Sequence, residues 1–438
     1  MKSTDSDISV ATSASGTGRC EGPLHRLPML DLLGKISTVA LHLLLIRFLS
    51  GTGFLFALWL CPVEVFSEVG LYIAALTLGG LVVFGRYELL IIRAHDEQEC
   101  KDAVQLSVTV STGLVGVTLL VGLAAYAFFG SPIGIVFAAA LFARAWLRLG
   151  LTLATRHGRY DVAMKALLPH TVAQPLVLVL LLQSGHDPLT SFILSDLAGH
   201  VIAAAGACIS ERRTVTFSLR QPRERERIAA LAWANRSLPT VNLAAAASAS
   251  LFAVTPLFFL PALEDAVLAG TLALLFRILD VPASMASASV GPILNKAVSD
   301  HLRGLASWPL QRIFLLPLFI AGGMFSVISI AAGVLNALKI SPTAWEQALT
   351  ILPVVALFQA GIAAAAPLID LATLGGRRWG LMALNVTATG IAVATLLAWH
   401  GRPVFAIILA GVIGLARVIV MSLWLPRIRR LVAGYSSE

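Results

Sequence analysis

"LVVFGRYELLIIRAHDEQECKD", residues 81–102, sets Arg86 and Glu88 among Leu, Val, Phe and Ile. A soluble core tolerates such charges only with partners. At the centre of a bilayer, each costs on the order of 2.5–3.5 kcal/mol on insertion scales. The two demands are reconciled if the run crosses a membrane and its charges lie near the inner edge, where water is close. On that reading a helix covers 67–92, and Arg86 and Glu88 occupy its last turns. A spacing of two residues points them to different helical faces. They are therefore expected to pair with neighbouring helices at an inner gate rather than with each other.

The rest of the chain agrees with a membrane reading. It has 438 residues, 57% hydrophobic and 13% charged, with a mean hydropathy of +0.84. Soluble domains carry about 25% charged residues. The apolar stretches do not alternate with period two, which excludes a transmembrane β-barrel. The net charge of +8 suits nucleic acid only if a soluble domain presents a basic face, and none is visible, so no nucleic-acid partner is expected. Cys20, Cys61, Cys100 and Cys208 show no CxxC spacing, so neither a metal site nor a redox motif is expected.

Apolar segments predict twelve helices at 36–60, 67–92, 103–129, 132–152, 164–183, 189–210, 238–260, 264–292, 310–336, 346–374, 379–399 and 403–425. The alternate loops and tails on one side hold about 24 of the 32 Lys and Arg. Both termini are therefore expected in the cytoplasm. The fold class is all-α and polytopic, in two six-helix bundles. Residues 1–30 read as a flexible cytoplasmic tail, 31–210 as the first bundle, 211–236 as a linker, 237–426 as the second bundle and 427–438 as a second tail. The linker, "SERRTVTFSLRQPRERERIAALAWANR" (210–236), reads as a solvated connector or a basic segment on lipid headgroups.

Three stretches give the chain a family likeness: "GRYELLIIRAHDEQE" (85–99), "RHGRYDVAMKALLPHTVAQPLVLVLLL" (156–182) and "GTLALLFRILDVPASMASASVGPILNKAVSD" (270–300). Through them it resembles the polysaccharide-exporting, Wzx-type flippases of the multidrug/oligosaccharidyl-lipid/polysaccharide (MOP) superfamily, over about residues 30–430. The resemblance implies a V-shaped, MATE-like pair of bundles around a cavity that opens alternately to each side. It also implies transport rather than enzymatic catalysis. The expected cargo is an oligosaccharide joined through diphosphate to undecaprenol, moved across a bacterial inner membrane for O-antigen, lipopolysaccharide or exopolysaccharide assembly. Expected partners are that lipid-linked oligosaccharide, membrane lipids, a polysaccharide polymerase and chain-length machinery. No cofactor is expected beyond proton or sodium coupling.

A dianionic headgroup calls for cations along a wet passage, so arginines inside spans are the candidates. Arg47 lies too deep in its span to reach either surface, and Arg277 is equally deep, with Asp280 at i+3. These two, from opposite halves, are expected to clamp the diphosphate. Arg144 and Arg148 share one helical face and would guide it inward. Asp196 and His200, at i,i+4, suit proton exchange, and Asp280 and Asp370 are further coupling candidates. Pro256, Pro282, Pro317, Pro353 and Pro367 interrupt spans of the second half as kinks or moving joints. A multidrug cation antiporter of the same fold and a peptidoglycan-precursor flippase remain open as alternatives. A membrane glycosyltransferase or polymerase is disfavoured by the short external loops.

Overall fold

The computed structural model describes residues 60–94, 96–157, 159–211, 215, 225–283, 310–338, 343–374 and 378–425. All regular structure among them is helical. The first half contains α1 (Val65–Val82), α2 (Glu88–Arg93), α3 (Glu97–Phe129), α4 (Ile133–Arg156), α5 (Tyr160–Gln183) and α6 (Pro188–Ser210). A short α7 (Arg225–Ala234) precedes a π-helical turn at Leu238–Asn242. Then come α8 (Leu243–Phe259), α9 (Ala266–Ala283), α10 (Leu310–Ala337), α11 (Thr343–Leu374), α12 (Arg378–Ala398) and α13 (Pro403–Trp424).

Ten described helical segments are long and apolar enough to cross a bilayer. The fifth expected span corresponds to α5, of which Leu167–Gln183 is apolar among the residues whose side chains are described. The first expected span, 36–60, carries Arg47 and, apart from Leu60, lies outside the described residues. The protein is thus an all-α integral membrane protein, as its composition required. Side chains such as Leu120, Val121, Phe128 and Phe129 stand exposed on α3 because lipid, not protein, is their solvent.

Local chemistry sets the helix ends. Asp96 accepts a hydrogen bond from the Glu99 amide at 2.7 Å and caps α3, and Asp187 does the same for α6 from the Thr190 amide at 2.9 Å. Gly130 ends α3 in the left-handed conformation, φ 69°. Proline is spread more widely than the sequence reading placed it. Pro256, Pro317, Pro353 and Pro367 lie inside helices, but so do Pro169 and Pro175 of α5 in the first half.

Within the first half α5 packs on α6, α6 on α4 and α4 on α3; within the second, α10 packs on α11, α11 on α13 and α8 on α12. The halves meet through α1 and α8. At one end of that seam the backbones almost touch. A Cβ on Gly270 would run into the Val63 carbonyl oxygen, and one on Gly70 would lie 3.2 Å from the Ala273 Cβ. Phe66 and Phe192 of the first half accordingly join the buried cluster built on Leu272, Phe276 and Phe358 of the second.

The single helix expected over 67–92 is broken. α1 stops at Val82, and the chain turns through two consecutive left-handed residues, Gly85 (φ 57°) and Arg86 (φ 68°), before α2 begins. Glycine takes this conformation freely, whereas an L-residue such as arginine is disfavoured by about 1–2 kcal/mol. The turn changes the geometry on which the i,i+2 argument rested. Arg86 Nη1 comes to 4.0 Å from the Glu88 carboxylate, so the two residues do pair.

In the linker, α7 buries none of its residues, and Trp233 on it is 71% exposed with Arg236 stacked 4.7 Å from its ring. Arg227 reaches Asp102 at 2.8 Å and holds this helix against α3. Cys61, Cys100 and Cys208 are free thiols, and burial pushes the Cys61 thiol up to about 11, as suits a packing residue.

Candidate functional site: a cleft between the halves and two buried charge centres

A cleft of ≈ 190 Å³ runs along the seam. α1 contributes Phe66, Val69, Ile73 and Thr77; α8 contributes Ser250 and Leu257; α9 contributes Phe276, Arg277 and Asp280; α11 contributes Gln359 and Ile362. The walls are apolar, and the charged groups lining them are Arg277 and Asp280. Arg277 Nη1 lies 3.8 Å from Asp280 Oδ2, and their side chains are 30% and 48% exposed. The i,i+3 spacing therefore does what it suggested: the two charges share a face and both reach the cleft. Its other named cation, Arg47, lies outside the described residues, as does the Asp370 side chain on α11.

Arg144 and Arg148 follow different partners into the first half. Arg144 Nη2 lies 3.3 Å from Asp196 Oδ1 and 3.4 Å from Oδ2. Asp196 also receives Tyr72 Oη at 3.5 Å, and its carboxylate lies 3.3 Å from His200 Nδ1. The same His200 nitrogen is 2.8 Å from the Asp196 carbonyl oxygen and 3.2 Å from His170 Nε2. Gly199 allows this meeting, since a Cβ there would sit 2.9 Å from His170 Cδ2. α1, α4, α5 and α6 thus converge on one buried carboxylate.

Ligand atoms of His170, Asp196 and His200 lie within 4.8 Å of one another, a spacing that suits a divalent ion. The guanidinium on the same carboxylate offsets the charge such an ion would require. The geometry is better matched to a hydrogen-bonded cluster gathered on His200 Nδ1 and the Asp196 carboxylate.

Arg148 spans the break after α1. It donates to the Gly80 carbonyl at 2.8 Å and forms an ion pair with Glu88, which is 2% exposed. Arg156, two turns further along α4, donates to the carbonyls of Ile91 at 2.9 Å, Ala94 at 2.7 Å and Asp96 at 3.0 Å. Interrupting a helix in a membrane leaves carbonyls without internal donors. Two arginines of α4 supply those donors. Nearby, Glu211 joins His157 at 3.0 Å and Arg159 at 3.1 Å, tying α6 to the segment after α4.

The second half has a charge centre that the sequence reading did not single out. Arg417 lies inside α13, the most apolar of the candidate spans, and is 3% exposed. Its Nη1 donates to Asn385 Oδ1 at 3.3 Å, and its guanidinium lies 4.2 Å from the centre of the Phe252 ring. The rule applied to Arg47 and Arg277, a cation within an apolar run, points equally to Arg417. His170 and Tyr72 carried no such signal, because their role depends on helices far apart in sequence.

No family model and no curated protein matches the sequence. Solved structures match the fold. An inward-facing multidrug resistance MATE family transporter of the MOP superfamily aligns with a TM-score of 0.58 at 15% identity, over 89% of this chain and 95% of its own. A MATE protein in the bent conformation aligns at 0.58 and 12% identity, over 92% and 96%. The fold is that of the MATE transporters. A MOP superfamily transporter from Pyrococcus furiosus, described as having a binding pocket of reverse polarity that suggests a different function, aligns at 0.57 and 12% identity over 90% and 95%. Within this MATE fold the cleft occupies the seam between halves, and the Asp196 and Arg417 centres lie in different halves.

Proposed function

We propose that the protein is a flippase that moves an undecaprenyl-diphosphate-linked oligosaccharide from the cytoplasmic to the periplasmic leaflet of a bacterial inner membrane. The observation that carries this reading is Arg277, a cation reaching an apolar-walled cleft at the seam of the two halves. A guanidinium within about 4 Å of a phosphate gains roughly 4 kcal/mol at an effective dielectric near 20, which offsets much of the desolvation of the headgroup. The sugar remains in the wet cleft and the polyprenyl chain in lipid.

The bundles 31–210 and 237–426 rock against each other about the Gly270–Val63 and Gly70–Ala273 contacts, exposing the cleft to one side and then the other. Arg47 completes the clamp from the first half. The positive-inside bias supports both termini in the cytoplasm. Coupling runs through a proton on the Asp196–His200–His170 chain, whose nitrogens and oxygens are spaced for transfer.

A second reading has one observation in its favour. Asp280 reaches the same cleft and is more exposed than Arg277, as export of an amphipathic organic cation would require. Proteoliposomes separate the two. With labelled polyprenyl-diphosphate oligosaccharide, transfer to a leaflet protected from an impermeant reagent is expected from the native protein, accelerated by a proton gradient, and lost in Arg277→Ala. Transport of a cationic dye that survives Arg277→Ala and disappears in Asp280→Asn would replace the flippase reading.

A further inference from the structure

Arg417 is 3% exposed, yet among the described residues no carboxylate lies within ion-pair distance of it. Its polar neighbour is Asn385, itself fully buried. The hydrogen bond from Arg417 Nη1 to Asn385 Oδ1 uses the one acceptor that this asparagine side chain has to offer. What remains unsatisfied is all of one kind: Arg417 Nε and Asn385 Nδ2 are both buried donors without an acceptor. Buried polar groups are rarely left so, and a buried charge is normally paired. The Phe252 ring face at 4.2 Å stabilises the cation, but a ring provides no acceptor for either N–H.

We infer that the Arg417–Asn385 pair in the second half binds one small monovalent inorganic anion of the chloride class. Two orphaned donors and one positive charge call for an acceptor with one negative charge. A dianion would leave an uncompensated charge, because among the described residues no second cation is paired into this centre. The site is separate from the cleft. Ser250, Ala253, Val254 and Leu257 present one face of α8 to the cleft, whereas Ala245, Ser248 and Phe252 lie on its buried side, with Arg417 beyond Phe252. The inference therefore stands or falls independently of the transported substrate.

The test is thermal unfolding of the full-length protein in detergent at constant ionic strength, with gluconate exchanged for chloride or bromide. Binding to the folded state raises Tm with ligand concentration. A saturable rise of about 2–4 °C is expected for the native protein in chloride and bromide. Asn385→Asp places a carboxylate on the guanidinium and is expected to remove the halide response while leaving the protein folded. Arg417→Gln is expected to remove it as well. If that variant does not fold, the native and Asn385→Asp titrations decide the matter. Equal melting of the native protein in gluconate and halide overturns the inference. So does a halide response retained in Asn385→Asp, or stabilisation by sulfate without stabilisation by chloride.

Discussion

Around Asp196, helices α1, α4, α5 and α6 bring Tyr72, Arg144, His170 and His200 together, and the guanidinium and carboxylate balance each other. Around Arg417, among the described residues, helices α8 and α12 bring an aromatic ring and an amide. Both centres are buried within apolar helices, but only the first is neutral by its own side chains. A neutral buried network can exchange a proton internally with little change in solvation, whereas a lone cation draws an outside charge. The same architecture thus places two different electrostatic problems in its two halves.

The sharpest way to break this contrast is a matched pair of substitutions, measured by denaturant unfolding in gluconate. Arg144→Met strands the Asp196 carboxylate and is expected to destabilise by about 3–5 kcal/mol. Arg417→Met removes a cation that has no carboxylate partner and is expected to change stability by less than about 1.5 kcal/mol. Equal losses would show that the two centres are not different in kind.

The seam comes next in size. Gly270→Ala drives a methyl group into the Val63 backbone and is expected to cost about 3 kcal/mol. It should also raise the accessibility of Cys61, followed by labelling with a thiol reagent under denaturant-free conditions. Unchanged stability would mean that the halves do not bear on each other there.

Gly199→Ala tests how closely the histidines must approach. Its methyl group would meet His170 Cδ2 at 2.9 Å and Gln174 Cβ at 3.1 Å, side-chain atoms that can shift. A loss of about 1–2 kcal/mol is expected, together with altered imidazole NMR signals of His170 and His200. The smallest effect is expected at the break after α1. Arg86→Gly relieves a left-handed arginine but removes its 4.0 Å contact with Glu88, for a net change within about 1 kcal/mol in urea titration.

Several of these features could be read from residues alone. The i,i+4 spacing of Asp196 and His200 and the i,i+3 spacing of Arg277 and Asp280 each announce a contact, because a helix brings such residues onto one face whatever surrounds it. Arg417 was legible by the same logic, as a cation within an apolar run. Arg148 was not legible as the partner of Glu88, nor Arg144 as that of Asp196, since 60 and 52 positions separate them. The pairing of Arg86 with Glu88 was hidden for another reason. It depends on a left-handed turn where apolar continuity alone suggested unbroken helix.

Composition by itself determined that this chain lives in a bilayer and crosses it as helices, because hydrocarbon offers no partner for backbone N–H and C=O groups, and a helix satisfies them within one segment. Which charges would meet, and which would stay without a counter-charge, only the tertiary structure decided. Ion pairs act over a few ångströms, and in this protein those ångströms are set by the packing of helices from distant parts of the sequence.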